Sequence, residues 1–477
     1  MERHARELDR RFALRHVFAV NRVLTAERGL DGGLADGSPL ASGSATGDGS
    51  GLTLPSAGYL TMVDFCRVVV CLCVVLQHSF LWTDMSGNVT GTAFITMLHF
   101  TRGTFFTLSG LVVCYAEITR PRSTWGFWKR RYVQIGVPFV AWTCIYVVYT
   151  MLTSNVGWSQ VGTVLWYDLR YGFYQLYVVI VLFQFYLIFP VLFWLLRATR
   201  RHVLILSISA AVALFIGVDL HYDPHWGVVG HDVHVIGNVW PWGRSLLSYQ
   251  LYFIAGAIVA FHIEQILAFL QKWHRWVLAA SAAVGVATLS WYLSDIWGGT
   301  GTSTASDVFQ PIAVLWGLGA TAGIFTLSWM WWRRRATGVA GVTGVTGVAG
   351  VAGVGSSDGP GRPARWFSIT RLAELTGGIF LSHVLFIELI HSALYSNFVG
   401  GAHLPWPVTV LIFYVSTLSA AVAFVSIIVR TPLRWVLGGP VRADQRKRID
   451  AVSAARTGRL NGGGALPAGA TRVSVNR

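Results

Sequence analysis

The stretch MVDFCRVVVCLCVVLQHSF, residues 62–80, decides the fold of this protein. It is almost entirely apolar, and it is about as long as the roughly 20 residues that a helix needs to cross a bilayer. It also contains three ionisable residues, Asp64, Arg67 and His78. Ionisable groups are costly in hydrocarbon unless they face protein or water. The stretch therefore predicts a membrane-spanning helix with one polar face directed into a protein interior.

The spacing of these residues places them along one stripe of that helix. Arg67 and His78 are eleven residues apart, which brings them within about 20° of one another and separates them by about 16 Å along the axis. Asp64 precedes Arg67 by three residues, the spacing at which opposite charges pair on a helix. Two interpretations follow: a functional site, or a structural ion pair near the cytosolic edge with His78 bonded to a neighbouring carbonyl.

The whole chain has the composition of a polytopic membrane protein. Of its 477 residues, 53% are hydrophobic and 12% are charged, and the mean hydropathy is +0.53, outside the range of ordinary soluble domains. We predict an all-α fold with ten transmembrane helices. The apolar stretches lie at 60–83, 92–116, 132–152, 172–196, 202–218, 244–262, 275–294, 308–331, 372–396 and 405–429.

The distribution of basic residues predicts the orientation. The loops after the even-numbered spans hold sixteen Lys and Arg residues, whereas the loops after the odd-numbered spans hold only Arg170. Because basic loops stay in the cytosol, both termini are predicted to be cytosolic. The net charge of +15 is thereby explained by topology and by the anionic inner leaflet, without a nucleic-acid partner. Only three of the 37 basic residues are Lys, which, with the many Ala and Gly residues, favours a bacterial source and the bacterial plasma membrane.

Three parts follow from this pattern. Residues 1–59 are predicted to form a disordered cytosolic tail, because they are polar, Gly-rich and Ser-rich. Residues 60–431 are predicted to form the membrane domain, with a flexible cytosolic loop at 333–366 that contains a Gly/Val-rich repeat. Residues 432–477 are predicted to form a second disordered tail, which is basic.

Several later segments, taken in order with the first span, carry a resemblance. They are LHFTRGTFFTLSGLVVCYA, WGFWKRRYVQIGVPFVAW, YQLYVVIVLFQFYLIFPVL and GGIFLSHVLFIELI. Together with D-x-x-R-x10-H in the first span, they resemble the integral-membrane acyltransferase-3 family over residues 60 to about 430. The matching positions are Asp64, Arg67, His78, His99, Phe105, Phe106, Ser109, Gly110, Arg130, Arg131, Pro138, Leu176, Tyr177, Tyr186, Pro190 and His383.

The resemblance implies a ten-span O-acyltransferase that moves an acetyl or longer acyl group from cytosolic acyl-CoA to a hydroxyl of a glycan, glycolipid or secreted metabolite. His78 is then the general base, or it forms a transient acyl-histidine; these two mechanisms stay open. The candidate catalytic residues are His78, Arg67, Asp64 and His99. The candidate acyl-CoA contacts are Lys129, Arg130, Arg131 and Arg67. The candidate acceptor contacts are Ser109, His383, Tyr177 and Trp240.

Three residues depart from the family pattern. Gln175 stands where His is frequent, and Gln134 stands where a further Arg is frequent, so a polar or phosphate contact is in question at each position. Arg102 replaces a small apolar residue or proline. The Arg102 replacement bears on the choice of acceptor.

Three motifs have two interpretations each. Ser109 is a nucleophile or, more simply, part of a Ser-Gly pair that lets helices pack closely. Trp240 stacks on a sugar ring or anchors an outer loop at the membrane interface. The histidines and aspartates at 219–234 could bind a metal, but they lack the spacing of known helical zinc sites, and we expect no metal.

A second class of function also fits buried charge in ten spans: a transporter or flippase for a polysaccharide or a lipid-linked sugar. Such proteins frequently contain two related halves with broken helices. No internal repeat of that kind is visible in the sequence, and the buried charges concentrate in the first two spans. These features favour the enzyme.

Overall fold

The computed structural model describes residues 56–83, 87–154, 156–199, 201–222, 233–235, 238–240, 242–343, 369–393 and 405–437. The fold is built almost entirely of helices, as predicted, with one short antiparallel hairpin. The helices are α1 (Ser56–Leu81), α2 (Val89–Leu98), α3 (Phe100–Thr119), α4 (Thr124–Thr153), α5 (Val161–Tyr171), α6 (Tyr177–Thr199), α7 (His202–Tyr222), α8 (Leu246–Phe261), α9 (Ile263–Trp297), α10 (Thr302–Ala305), α11 (Pro311–Thr343), α12 (Ile369–Ile390) and α13 (Trp406–Ile428). The hairpin pairs β1 (Val233–Val235) with β2 (Asn238–Trp240).

Each of the ten predicted spans coincides with helix, but the helices differ in length and hydropathy. Seven of the described helices are long and apolar enough to cross a membrane, namely those at Thr61–Leu81, Thr124–Thr153, Tyr174–Thr199, Ile263–Trp297, Pro311–Arg335, Ile369–Ala393 and Trp406–Ile428. Two shorter apolar helices cover His202–Val218 and Leu246–Phe261. The number of crossings and the side of the termini therefore stay predictions.

The second predicted span, 92–116, is not one helix as expected. It is divided into α2 and α3 at His99, whose backbone N–H donates to the Thr96 carbonyl at 3.2 Å, three residues back instead of four. That bond tightens the last turn of α2 and ends it. The break brings the imidazole of His99 to the junction of the two helices.

Two domain boundaries also differ from the prediction. The helix α11 continues to Thr343, so the first part of the predicted loop at 333–366 is helical. Residues Pro432–Leu437 form a 3-10 helix, and the Trp142 indole N–H donates to the Val436 carbonyl at 3.1 Å. This contact orders the start of the predicted C-terminal tail. The rest of the tail, the remainder of the loop and the N-terminal tail before residue 56 lie outside the described residues.

Close helix packing determines the core beside the predicted site. Gly110 on α3 faces the Phe253 carbonyl on α8, and Gly256 on α8 faces the Thr107 carbonyl on α3; a Cβ at either glycine would overlap that oxygen. Small residues of this kind let two helix backbones approach in a membrane, where van der Waals packing replaces the hydrophobic effect. On the α6 side of α8, the Phe253 ring stacks on Phe185 with 4.3 Å between centroids.

Candidate functional site

Two histidines from separate helices meet in the structure. His78 lies near the end of α1 and His383 lies in the second half of α12, with 5.0 Å between their ring centroids and 54° between their planes. His383 is fully buried. Its Nδ1 lies 2.8 Å from the Phe380 carbonyl and 3.2 Å from the Ile379 carbonyl. Because carbonyls only accept, Nδ1 must carry the proton and Nε2 of the neutral ring is a bare acceptor.

Both rings keep a nitrogen available. Nε2 of His383 and Nδ1 of His78 are buried, and neither has a hydrogen-bond partner among the residues that the structure describes. Buried polar atoms without partners are unusual in native proteins, and each one calls for an explanation such as a catalytic role or a ligand. The two unpartnered nitrogens are therefore consistent with a site that binds a substrate or another ligand.

An aromatic wall continues outward from this pair. The Trp82 ring lies 5.8 Å from His78 and 5.1 Å from Tyr174, between centroids. Tyr174 follows a tight turn and has a positive φ of 38°, and Gly172 two residues earlier has a φ of 76°. A Cβ at Gly172 would also overlap the Tyr177 backbone nitrogen. Only glycine allows this turn without strain, and the turn presents Tyr174 to Trp82.

A positive charge, that of Arg102, also acts on His78. Arg102, at the start of α3, lies 6.0 Å from the centroid of the Tyr177 ring. It also bonds to the Tyr249 hydroxyl, and its charge acts on His78. The Tyr249 hydroxyl donates to the Gly243 carbonyl at 3.0 Å. This residue, which departs from the family pattern, is thus held by two tyrosines at a distance from which its charge acts on His78.

A hydrogen-bond network supports the His383 segment from behind. The Tyr146 hydroxyl donates to the Leu381 carbonyl at 2.8 Å. Gln175 Nε2 donates to the Tyr146 hydroxyl at 2.7 Å and to the same carbonyl at 3.2 Å. Gln175, which also departs from the family pattern, therefore bonds to the backbone carbonyl two residues before His383.

His99 lies in a separate network. Gln77 Nε2 donates to His99 Nδ1 at 3.1 Å, and His99 Nε2 donates to the Ser306 carbonyl at 2.9 Å. The Thr101 hydroxyl completes the set by donating to Gln77 Oε1 at 3.2 Å. Both ring nitrogens of His99 are engaged, so this imidazole holds the α2–α3 junction to α1 and to the loop before α11.

The predicted cationic groups gather along the other half of α1. Arg67 Nη1 lies 3.8 Å from Asp64 Oδ1, and the arginine side chain is 38% exposed while the carboxylate is 2% exposed. Arg131 lies 5.7 Å from the centroid of the Tyr186 ring, and the charge of Arg67 acts on the same tyrosine. Lys129 and Arg130 are exposed on the first turns of α4. Arg131 thus packs on a tyrosine on which the charge of Arg67 also acts.

Two other predicted residues lie elsewhere. The Ser109 hydroxyl donates to the Phe105 carbonyl of its own helix at 2.8 Å, the usual arrangement for serine inside an apolar helix. Trp240 ends β2, and its side chain lies outside the described residues. In the described part of the chain, no three His, Cys, Asp or Glu side chains are grouped to hold a metal.

Sequence reasoning missed a second polar pair, Asp168 at the end of α5 and Arg244 in the 3-10 helix Trp242–Arg244. Asp168 is 6% exposed, and its Oδ2 and the Nη1 of Arg244 are buried without hydrogen-bond partners in the described structure. Both residues lie next to predicted span edges, where a charge resembles an ordinary boundary signal. Only the burial of these atoms and their closeness in the structure identify Asp168 and Arg244 as a pair.

Comparison with known proteins agrees with the resemblance. A family model described as an acyltransferase domain of the acyltransferase-3 type matches residues 61–426. No curated protein and no solved structure shows significant similarity to the chain. The matched region covers the helices that hold His78, Arg102 and His383. Because the match spans most of the chain, and because its helices are apolar and long, the protein belongs to the acyltransferase-3 family of membrane acyltransferases.

Proposed function

We propose that this protein is an O-acyltransferase of the bacterial plasma membrane that moves an acetyl or longer acyl group from cytosolic acyl-CoA to a hydroxyl of a glycan, glycolipid or secreted metabolite. His78 is the general base. The observation that supports this most directly is the His78–His383 pair, with 5.0 Å between ring centroids and an unpartnered nitrogen on each ring. An imidazole is suited to proton transfer near neutral pH.

The donor would enter from the side where Arg131 packs on Tyr186 and where the charge of Arg67 acts on the same tyrosine. Guanidinium groups match phosphate oxygens in geometry, and the exposed Lys129 and Arg130 add positive charge nearby. Asp64 keeps the Arg67 side chain oriented through its ion pair. The pantetheine arm is long and flexible enough for the thioester to reach His78 farther along α1.

The chemical step is one acyl transfer. The acceptor oxygen attacks the thioester carbonyl while His78 removes the hydroxyl proton, and the tetrahedral intermediate expels the CoA sulfur, which takes that proton and leaves as CoA-SH. His383 would stabilise the protonated His78, because its Nε2 is a free acceptor within reach of a small movement of either ring. Arg102, whose charge acts on His78, would stabilise the developing oxyanion. The alternative step, attack by His78 itself to give an acyl-histidine, uses the same groups.

The other predicted residues have supporting roles in this scheme. His99 fixes α1 against α3 through Gln77, Tyr177 holds Arg102, and Ser109 serves helix packing next to Gly110. Trp240 contributes an aromatic face to acceptor binding from the outer loop.

The test uses purified protein in nanodiscs with radiolabelled acetyl-CoA and longer acyl-CoAs. We expect His78→Ala to reduce turnover by about 10²–10⁴-fold. His383→Asn keeps a donor for the helix carbonyls and removes Nε2, so we expect a large loss there too. The matched control is His274→Asn, because His274 makes the same kind of bond to a carbonyl of its own helix and packs on Trp329.

Three results would argue against the proposal. Unchanged turnover in His78→Ala would remove the general base, and equal losses in His274→Asn would make the effect nonspecific. Absence of thioester cleavage with every donor, together with sugar movement that persists in His78→Ala, would favour the transporter. An acyl group trapped on His78 and detected by mass spectrometry would select the acyl-histidine step.

A further inference from the structure

The Asp168–Arg244 pair lies outside the chemistry described above and has an arrangement that needs explanation. Each residue has one buried polar atom without a hydrogen-bond partner in the described residues, Oδ2 of Asp168 and Nη1 of Arg244. The two groups are close enough for the Arg244 charge to act on the carboxyl. Leaving such atoms unpaired in a protein interior is unfavourable, and more so for charged groups. A bound ligand would remove that cost.

Tyr171 lies close to both groups in the local fold. Asp168 and Tyr171 are three residues apart at the end of α5, so they share a face of that helix. The Arg244 guanidinium lies 5.5 Å from the Tyr171 ring centroid. Its backbone carbonyl accepts a hydrogen bond from Gln184 Nε2 at 2.8 Å, which fixes the 3-10 helix against α6. The pair is therefore built on rigid elements.

The charges of the pair select the chemistry of the ligand. Asp168 Oδ2 accepts a hydrogen bond, and Arg244 Nη1 donates one. A ligand anion would be repelled by Asp168, and a ligand cation would be repelled by Arg244. Two neighbouring hydroxyl groups satisfy both atoms without net charge, one hydroxyl donating to the carboxylate and the other accepting from the guanidinium.

The two backbone segments that carry the pair also lead to Trp82, beside His78, and to the tyrosine that binds Arg102. From Asp168 and Tyr171, the chain turns at Gly172 and reaches Tyr174, whose ring contacts Trp82 beside His78. On the other side, the carbonyl of Gly243, which precedes Arg244, accepts the bond from the tyrosine that binds Arg102. The same two backbone segments thus serve the pair and the site.

We propose that Asp168 and Arg244 form an acceptor subsite that binds adjacent hydroxyls of a polyhydroxylated acceptor and positions a further hydroxyl toward His78. This inference rests on the proposed function, since it assigns the acceptor side of the same reaction. Asp168 and Arg244 are positioning residues. Burial of Asp168, only partly offset by Arg244, raises the pKa of its carboxyl to about 6, as expected for a group that lacks its hydrogen-bond donor.

The experiment measures binding and reaction separately on the full chain in nanodiscs at pH 8. Binding is followed by saturation-transfer NMR without donor, with methyl α-D-glucopyranoside, methyl α-D-galactopyranoside and methyl α-D-mannopyranoside as probes and propan-1-ol as the single-hydroxyl comparison. Reaction is followed as acetyl-CoA hydrolysis without acceptor and as transfer with it. The variants are Asp168→Asn and Arg244→Lys, with Arg170→Lys as control because Arg170 packs on the same Tyr171 ring at 5.3 Å.

We expect at least one glycoside to bind, and each subsite variant to weaken that binding and to raise the KM for the glycoside by about 10–100-fold. Arg170→Lys should bind the glycoside normally and should hydrolyse acetyl-CoA without acceptor at the rate of the parent protein. The inference is overturned if no glycoside binds, if propan-1-ol binds equally well, or if the subsite variants bind normally. Glycoside binding without any cleavage of acetyl-CoA or of longer acyl-CoAs would instead refute the proposed function and leave the subsite as a binding site.

Discussion

Replacing Asp168 with Asn should stabilise the protein, and only above about pH 4. The folded protein holds the carboxyl at a pKa of about 6, above its ordinary value of 3.8. Between those two values the unfolded chain has released the proton while the folded protein retains it, so stability falls as pH rises through this window. At about 1.4 kcal/mol per pKa unit, the loss is roughly 3 kcal/mol at pH 7. Asn has nearly the same shape and does not ionise.

The assay is thermal unfolding in detergent with a thiol-reactive fluorogenic dye. Cys66, Cys71 and Cys114 are free and buried, so they react only when the helices separate, and Cys144→Ser removes the exposed thiol from the background. We expect Asp168→Asn to unfold a few degrees higher than the parent at pH 7–8 and together with it near pH 4.

One result would refute the reasoning directly. If Asp168→Asn is less stable than the parent at pH 8, then the carboxylate forms an ion pair with Arg244 in solution, and the burial argument fails. An effect of equal size at every pH would be equally damaging, because it would have to come from packing and not from ionisation. Greater stability combined with weaker glycoside binding is the combination expected of a binding residue whose local arrangement is costly to the fold.

Three further outcomes follow from the packing and the charges. Gly256→Ala should lower the free energy of unfolding by about 1–3 kcal/mol or more, because the new Cβ overlaps the Thr107 carbonyl and the backbone there cannot shift easily. The dye assay should then show unfolding at a lower temperature than in the parent protein. Tyr146→Phe removes the acceptor of Gln175 and a buried donor, so the dye assay should detect a loss of about 1–3 kcal/mol, and unchanged stability would show that water replaces the hydroxyl. Arg131→Met should raise the KM for acetyl-CoA about tenfold with kcat retained, and a fall in kcat alone would contradict a donor-binding role.

The sequence predicts well what depends on consecutive residues. Hydropathy sums over about 20 neighbours, and each apolar stretch predicted from it coincides with helix in the structure. The all-α class and the family follow from that pattern and from short motifs, and both are confirmed. The sequence does not predict the helix break at His99. That break depends on the partners of His99 in α1 and in the loop before α11.

Contacts between helices that are distant in sequence were decided by the tertiary structure alone. The polar stripe of α1 indicated that His78 faces protein, yet nothing in residues 62–80 identifies His383 as its neighbour or gives His383 a bare Nε2. Asp168 and Arg244 look like boundary charges until the fold buries the Asp168 carboxyl and one guanidinium nitrogen of Arg244. Periodicity along one helix states which face is polar, whereas the partner of that face depends on how the other helices pack, and packing is a property of the whole chain.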